Sequence, residues 1–160
     1  MPSSAPIDTV KFKRHRFLAR FPKDYLYSPA HFWLSETEPG CWRIGLTTFA
    51  TRMLGEIVEF DFEVAAGEGV EVGQTVGWLE GFKATADLFC VAEGRFGGGN
   101  PAALEDTERV CADPYGDGWL YSVEGTPDPQ AVSIDGYLEL LGETIDQMED
   151  KPWQQPEIGS

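Results

Sequence analysis

The sequence predicts a mainly β domain with a few short helices, folded as a small sandwich or barrel. Three observations carry this. Short apolar runs at 31–46, 56–62 and 76–89 are separated by turn residues. Glycines at 67, 69, 73 and 77 punctuate the middle of the chain at strand-length intervals. One long segment, 133–148, has its apolar residues at 134, 137, 138, 141, 145 and 148, which is helical spacing.

Residues 1–8 are polar and rich in proline and are expected to be disordered. Residues 10–23 are basic with interleaved Phe. Alternation through Val10, Phe12 and Arg14 predicts an edge strand that packs its Phe residues on the domain. Residues 31–46 read as strand, turn, strand, with Pro39-Gly40 at the turn. A short helix follows at 47–55, with Thr47 or Thr48 as its cap, Gly55 as its stop, and Phe49, Met53 and Leu54 as its buried face. Residues 56–62 alternate and predict a strand. Residues 76–89 predict a β-hairpin, and 90–96 a turn and strand. Asn100 caps a short helix that has Pro101 at its first position. Residues 113–120 form a turn leading into a strand through Val123, and Ser133 caps the terminal helix. The chain divides into a basic, partly disordered extension (1–24), a domain (25–148) and a polar tail (149–160).

The formal net charge is −15, and it is unevenly spread. Residues 1–24 carry six bases and two acids, against six bases and 25 acids in the remainder. An acidic body disfavours nucleic acid and anionic membranes as partners and suits salt-sensitive docking on basic protein surfaces. Cys41, Cys90 and Cys111 are widely spaced and odd in number, which argues for a reducing compartment and against a disulfide framework. The two histidines, His15 and His31, leave no spacing for a zinc site. No apolar run reaches membrane-spanning length, and no secretory leader is legible. Enzyme motifs such as G-x-S-x-G or a P-loop are missing.

The informative residue is Lys83. It is the only lysine between residues 24 and 150 and lies at the tip of the predicted hairpin, flanked by Glu80 and Asp87. A turn lysine offers an accessible amine on a flexible stem. On chemistry alone, an ordinary solvated turn lysine and a modification site both fit. Cys90, seven residues on, fits either a buried packing role or a thiol near Lys83.

The stretch E-G-F-K-A-T-A-D, residues 80–87, resembles the lipoyl-lysine motif E-S-V-K-A-x-S-D of the glycine cleavage H-protein family. Glu80, Lys83, Ala84 and Asp87 match. Gly81, Phe82 and Ala86 replace the usual Ser, Val and Ser. Five further blocks follow the family's order and spacing: G-L-T-T-F-A (45–50), L-G-E-I-V (54–58), G-V-E-V-G-Q-T (69–75), N-P-A-A-L (100–104) and D-P-Y-G-D-G-W-L (113–120).

The resemblance implies a lipoyl/biotinyl-domain-like flattened β-barrel or sandwich with short helices and a C-terminal helix. It implies lipoate amide-linked to Lys83, with Glu80, Ala84 and Asp87 as recognition residues and His31 as an arm-side contact. It implies a non-catalytic carrier of an aminomethyl group. Its partners would be a lipoate ligase or lipoyl transferase, glycine decarboxylase, aminomethyltransferase and dihydrolipoyl dehydrogenase. The implied location is cytoplasmic in a bacterium, or the mitochondrial matrix in a eukaryote. Phe32 stands where the family has the Glu of H-E-W, and R-F-G-G-G (95–99) replaces V-V-E-V. F-P-K-D-Y-L-Y (21–27) resembles divergent H-like proteins. Two alternatives therefore stand beside glycine cleavage: lipoate carriage in another pathway such as sulfur oxidation, and an unlipoylated structural or regulatory domain.

Overall fold

Residues 7–150 are described by the computed structural model of the chain. The disorder expected for residues 1–8 and the polar tail beyond residue 150 lie largely outside that range. The basic segment that the sequence reads as one edge strand is a complete antiparallel hairpin of β1 (Thr9–Arg14) and β2 (Phe17–Pro22). His15 and Arg16 make its turn, and His15 takes a left-handed φ of 53°. Then come β3 (Leu26–Tyr27), β4 (Phe32–Glu38) and β5 (Cys41–Leu46), the last two joined through Pro39-Gly40 with Gly40 at φ 80°. Helix α1 (Thr48–Leu54) is capped by the Thr47 hydroxyl, which accepts from the Ala50 N–H, and it stops at Gly55. Strand β6 (Ile57–Phe62), the short β7 (Gly69–Val70), and the hairpin of β8 (Thr75–Gly81) and β9 (Thr85–Phe89) follow.

β10 (Ala92–Gly99) carries the glycine run in its last turn-ward residues. A side chain at Gly99 would press on the Phe62 ring at 2.7 Å, and Gly98, at φ 101°, sits at a β-bulge. Helix α2 (Pro101–Glu105) starts at the Asn100 cap. Helix α3 (Glu108–Ala112) is not legible in the sequence, because E-R-V-C-A offers only one apolar turn. The last strand, β11 (Tyr121–Pro127), begins and ends later than the sequence suggests. Helix α4 (Ile134–Asp150) closes the fold.

Two sheets form the body, in the orders β3-β4-β5-β11-β10-β7 and β6-β8-β9, all antiparallel. The main core takes side chains from both, including Ile44, Phe60, Leu79, Leu88 and Val123. A second core lies under the N-terminal hairpin and α4. Strand β4 serves both. Successive side chains on a strand point to opposite faces, so Phe32 and Leu34 enter the main core while Trp33 enters the second. Trp33 needs room: a Cβ on its cross-strand partner Gly45 would sit 2.6 Å from the indole ring. Tyr27 stacks on Tyr137 at 4.8 Å, and Phe21 joins Phe12, Tyr27, Tyr115 and Tyr137 within 6.3 Å. Helix α4 buries Ile134, Tyr137, Leu141 and Ile145, while Met148 is exposed. Among the described residues, no helix is long and apolar enough to cross a membrane.

Candidate functional site at the β8–β9 tip

Glu80 pairs with Thr85 across the hairpin, leaving the four-residue loop Gly81 to Ala84 between them. The Gly81 N–H closes the loop on the Ala84 carbonyl at 2.8 Å. The loop is also tied to the end of α1. The Phe82 N–H donates to the Glu56 carbonyl and the Lys83 N–H to the Leu54 carbonyl, each at 2.8 Å. The Leu54 carbonyl is free because a helix end leaves its last carbonyls without intrahelical partners, and Glu56 lies just past the Gly55 stop. Two glycines permit the approach. A Cβ on Gly81 would collide with the Leu54 carbonyl, and one on Gly55, at φ 80°, would lie 2.9 Å from Lys83 Cγ. The backbone under the lysine is thus fixed while its side chain is exposed.

Lys83 Nζ has one long contact, donating to the Arg52 carbonyl at 3.4 Å. It lies along an open groove of about 790 Å³ lined by Thr48, Thr51, Arg52, Gly55, Glu56, Phe82, Lys83 and Cys111. Helix α1 supplies Thr48, Thr51 and Arg52, whose i, i+3, i+4 spacing puts them on one face. Helix α3 supplies Cys111, whose thiol donates to the Gly55 carbonyl at 3.6 Å and is pushed up by burial. The Arg52 guanidinium lies 4.7 Å over the Phe17 ring, so the N-terminal hairpin abuts the groove.

The other residues singled out in the sequence divide into two groups. Glu80 and Asp87 are exposed, on strands β8 and β9 beside the lysine. Asp87 lies opposite Trp78, and Glu80 opposite both Thr85 and Glu59. Ala84 is half-buried and packs on the main core. His31 is elsewhere. It is not a lining residue of the groove; its ring lies 4.7 Å from Phe49, and Nδ1 bonds the Tyr137 hydroxyl at 2.8 Å. Burial lowers its pKa to about 4. Cys90 is buried, its thiol donating to the Ala92 carbonyl at 3.0 Å, and burial pushes its pKa up. Phe32 fills the core. Among the described residues, no group of three or more His, Cys, Asp or Glu could hold a metal ion.

A covalent lipoyl group fits these residues. The amine that would carry it is solvent-facing and held only by one long contact, while the backbone beneath it is tied down by hydrogen bonds. The groove beside it combines apolar walls from Phe82 and the helix stem with the hydroxyls of Thr48 and Thr51.

Residues 25–139 match the sequence model of the family described as Glycine cleavage H-protein. The glycine cleavage system H protein of Corynebacterium aurimucosum is 34% identical over 129 residues, covering 78% of this chain and 98% of that protein. That of Bacteroides fragilis is 34% identical over 122 residues, covering 76% and 93%. The crystal structure of a glycine cleavage system H protein from Mycobacterium marinum superposes with a TM-score of 0.69 at 33% identity, covering 76% of this chain and 99% of that one. The fold is accordingly the lipoyl-domain-like β-sandwich expected from the lysine motif. A match over most of the chain, in sequence and in structure, makes this protein a member of the glycine cleavage H-protein family, a family of lipoyl carriers.

Proposed function

We propose that this protein carries lipoate in amide linkage on Lys83 and shuttles an aminomethyl group between the enzymes of glycine cleavage. The observation that carries the reading is the position of Lys83: an exposed amine on a backbone pinned to α1, at the mouth of a groove. Attachment joins Nζ to the acyl carbon of an activated lipoyl donor. The bond from that carbon to its leaving group breaks, and the Nζ proton passes to a base of the transferring enzyme. The bound group supplies a dithiol–disulfide couple that accepts and releases cargo. The chain itself does no bond chemistry in this reading.

Its residues position. The N–H bonds from Lys83 to the end of α1 and from Phe82 to Glu56 just beyond it fix the root of the arm. A fixed root confines the arm's far end to a small volume, which raises its effective concentration at a docked active site. Glu80, Ala84 and Asp87 present the lysine to the lipoate ligase or lipoyl transferase. Glycine decarboxylase, aminomethyltransferase and dihydrolipoyl dehydrogenase are the partners in this reading, and a cytoplasmic location is in keeping with bacterial relatives.

One observation favours a second reading of the cargo. Phe32 occupies the place of the family's glutamate and is buried, so that position offers no carboxylate to a cationic aminomethyl group. A lipoyl carrier serving another pathway would keep every feature of Lys83 and lose that one.

Intact mass after co-expression with a lipoate ligase and lipoate tests the reading. A gain of one lipoyl group, lost in Lys83→Arg, is the expected result. An unchanged mass, in cells that modify a standard H protein, overturns it.

A further inference from the structure

Phe82 is 83% exposed, more than any other large apolar side chain among the described residues. Its exposure is imposed rather than loose, because its own N–H is bonded to the Glu56 carbonyl and its neighbours on both sides are bonded as well. Val58, the bulged residue of β6, is 53% exposed, and Trp78 on β8 is 36% exposed. Exposed acids surround these three: Glu56, Glu59, Asp61, Glu80 and Asp87. None of the five is in a salt bridge among the described residues. A rigid aromatic in an acidic rim has the composition of an interface anchor.

We infer that Phe82 is the anchor by which the enzyme acylating Lys83 grips this protein, entering an apolar pocket that basic side chains rim on that enzyme. The inference rests on the reading of Lys83 as the attachment site. Geometry selects this occupant over the enzymes that use the finished arm. An enzyme forming the amide must bring its reacting carbon within bonding distance of Nζ, and Phe82 is the adjacent residue on the same fixed loop. Enzymes that use the arm meet its far end, beyond the whole lysine and acyl chain. The acids around the anchor supply charge complementarity and steering toward a basic rim.

The test uses the full chain with a purified lipoate ligase, lipoate and ATP, following the mass gain at Lys83. Phe82→Ala is expected to lower kcat/KM by about tenfold or more, chiefly through KM, as loss of an interface anchor does. Phe82→Leu should retain most of the rate. Glu56→Lys with Glu59→Lys should lower it further, and wild-type rates should fall with added salt. Binding is read separately. The unmodifiable Lys83→Arg protein should compete with the wild type for the ligase, and Lys83→Arg combined with Phe82→Ala should compete about tenfold less well. Phe82 is exposed, so the variants should unfold at the wild-type midpoint. Equal modification of wild type and Phe82→Ala overturns the inference and leaves the carrier reading intact. Failure of the wild type to be modified overturns both. A normal attachment rate with slowed use of the finished arm would assign Phe82 to the arm's groove and also overturn the inference.

Discussion

The Lys83 N–H donates to the Leu54 carbonyl at 2.8 Å, so the hairpin tip and the end of helix α1 are one rigid piece. Gly81 makes this possible, since any Cβ there would strike the same carbonyl. Gly81→Ala should therefore push the tip off the helix and destabilise the fold by about 1–3 kcal/mol, the usual penalty for forcing atoms into a packed site. Modification of Lys83 should slow in parallel. Lys83→Ala, which changes only an exposed side chain, should leave stability within about 0.5 kcal/mol of wild type. Denaturant melts of the two variants check the contrast.

The N-terminal hairpin lies outside the family match, yet it closes the second core. Phe21 is fully buried against Phe12, Tyr27, Tyr115 and Tyr137. Its tip is also held by Arg14 and His15 on Asp146 of α4. That carboxylate is lowered to about 2 by its bonds to Arg14 and His15, but the cluster lies at the surface, and surface pairs contribute little. Phe21→Ala should cost about 3–5 kcal/mol, and Asp146→Asn far less. The order of the two unfolding midpoints checks this. If Asp146→Asn were the more damaging, the latch rather than the aromatic core would hold the hairpin down.

Much of this arrangement is legible before the structure. Thr47 and Gly55 bound α1 because capping is local chemistry, and the 3.6-residue period of 134–145 is equally local. Lys83 stands out because its sequence neighbours lie around it at one turn. What stays hidden depends on contacts between distant segments. Cys111 reaches the groove only because α3 packs near α1, and nothing about one cysteine announces that. Arg52 and Glu56 read as ordinary surface charge until the tip of a hairpin some thirty residues on is laid beside them. The hairpin partner of β1 is masked because β2 mixes exposed Leu18 and Arg20 with buried Ala19 and Phe21 amid basic residues. His31 reads as a contact for the arm by its resemblance to the family, and the packing of its ring on Phe49 and Tyr137 is likewise a contact between distant segments.

That His31 environment gives a pH dependence. Burial favours the neutral ring in the fold and lowers its pKa from 6.5 to about 4. The unfolded chain therefore takes up the proton first as pH falls. Stability should drop as pH falls from about 6.5 to about 4, by up to about 3 kcal/mol, and this dependence should flatten below about 4. His31 also holds a φ of 72°, a region asparagine tolerates. His31→Asn should remove this part of the pH profile while keeping the backbone. Thermal melts of both proteins at pH 7, 5.5 and 4 read the difference. Parallel profiles would mean that the ring is not buried neutral.

Tyr121 ties the last strand to the turn that follows the lysine hairpin. Its hydroxyl donates to the Phe89 carbonyl at 3.0 Å and accepts from the Val91 N–H at 3.2 Å. Tyr121 and Val91 are buried, so loss of the hydroxyl takes this partner from both backbone groups and leaves the Val91 N–H in an apolar setting. Tyr121→Phe keeps the ring packed on Phe62 and Phe96 and deletes only the hydroxyl. It should cost about 1–3 kcal/mol, the penalty for an unmet buried polar group. Amide exchange at Val91 should speed up more than exchange at the centre of β8, because the lost bond is local. Uniform acceleration across β8, β9 and β10 would mean that Tyr121 supports the whole sheet rather than the turn beyond Phe89.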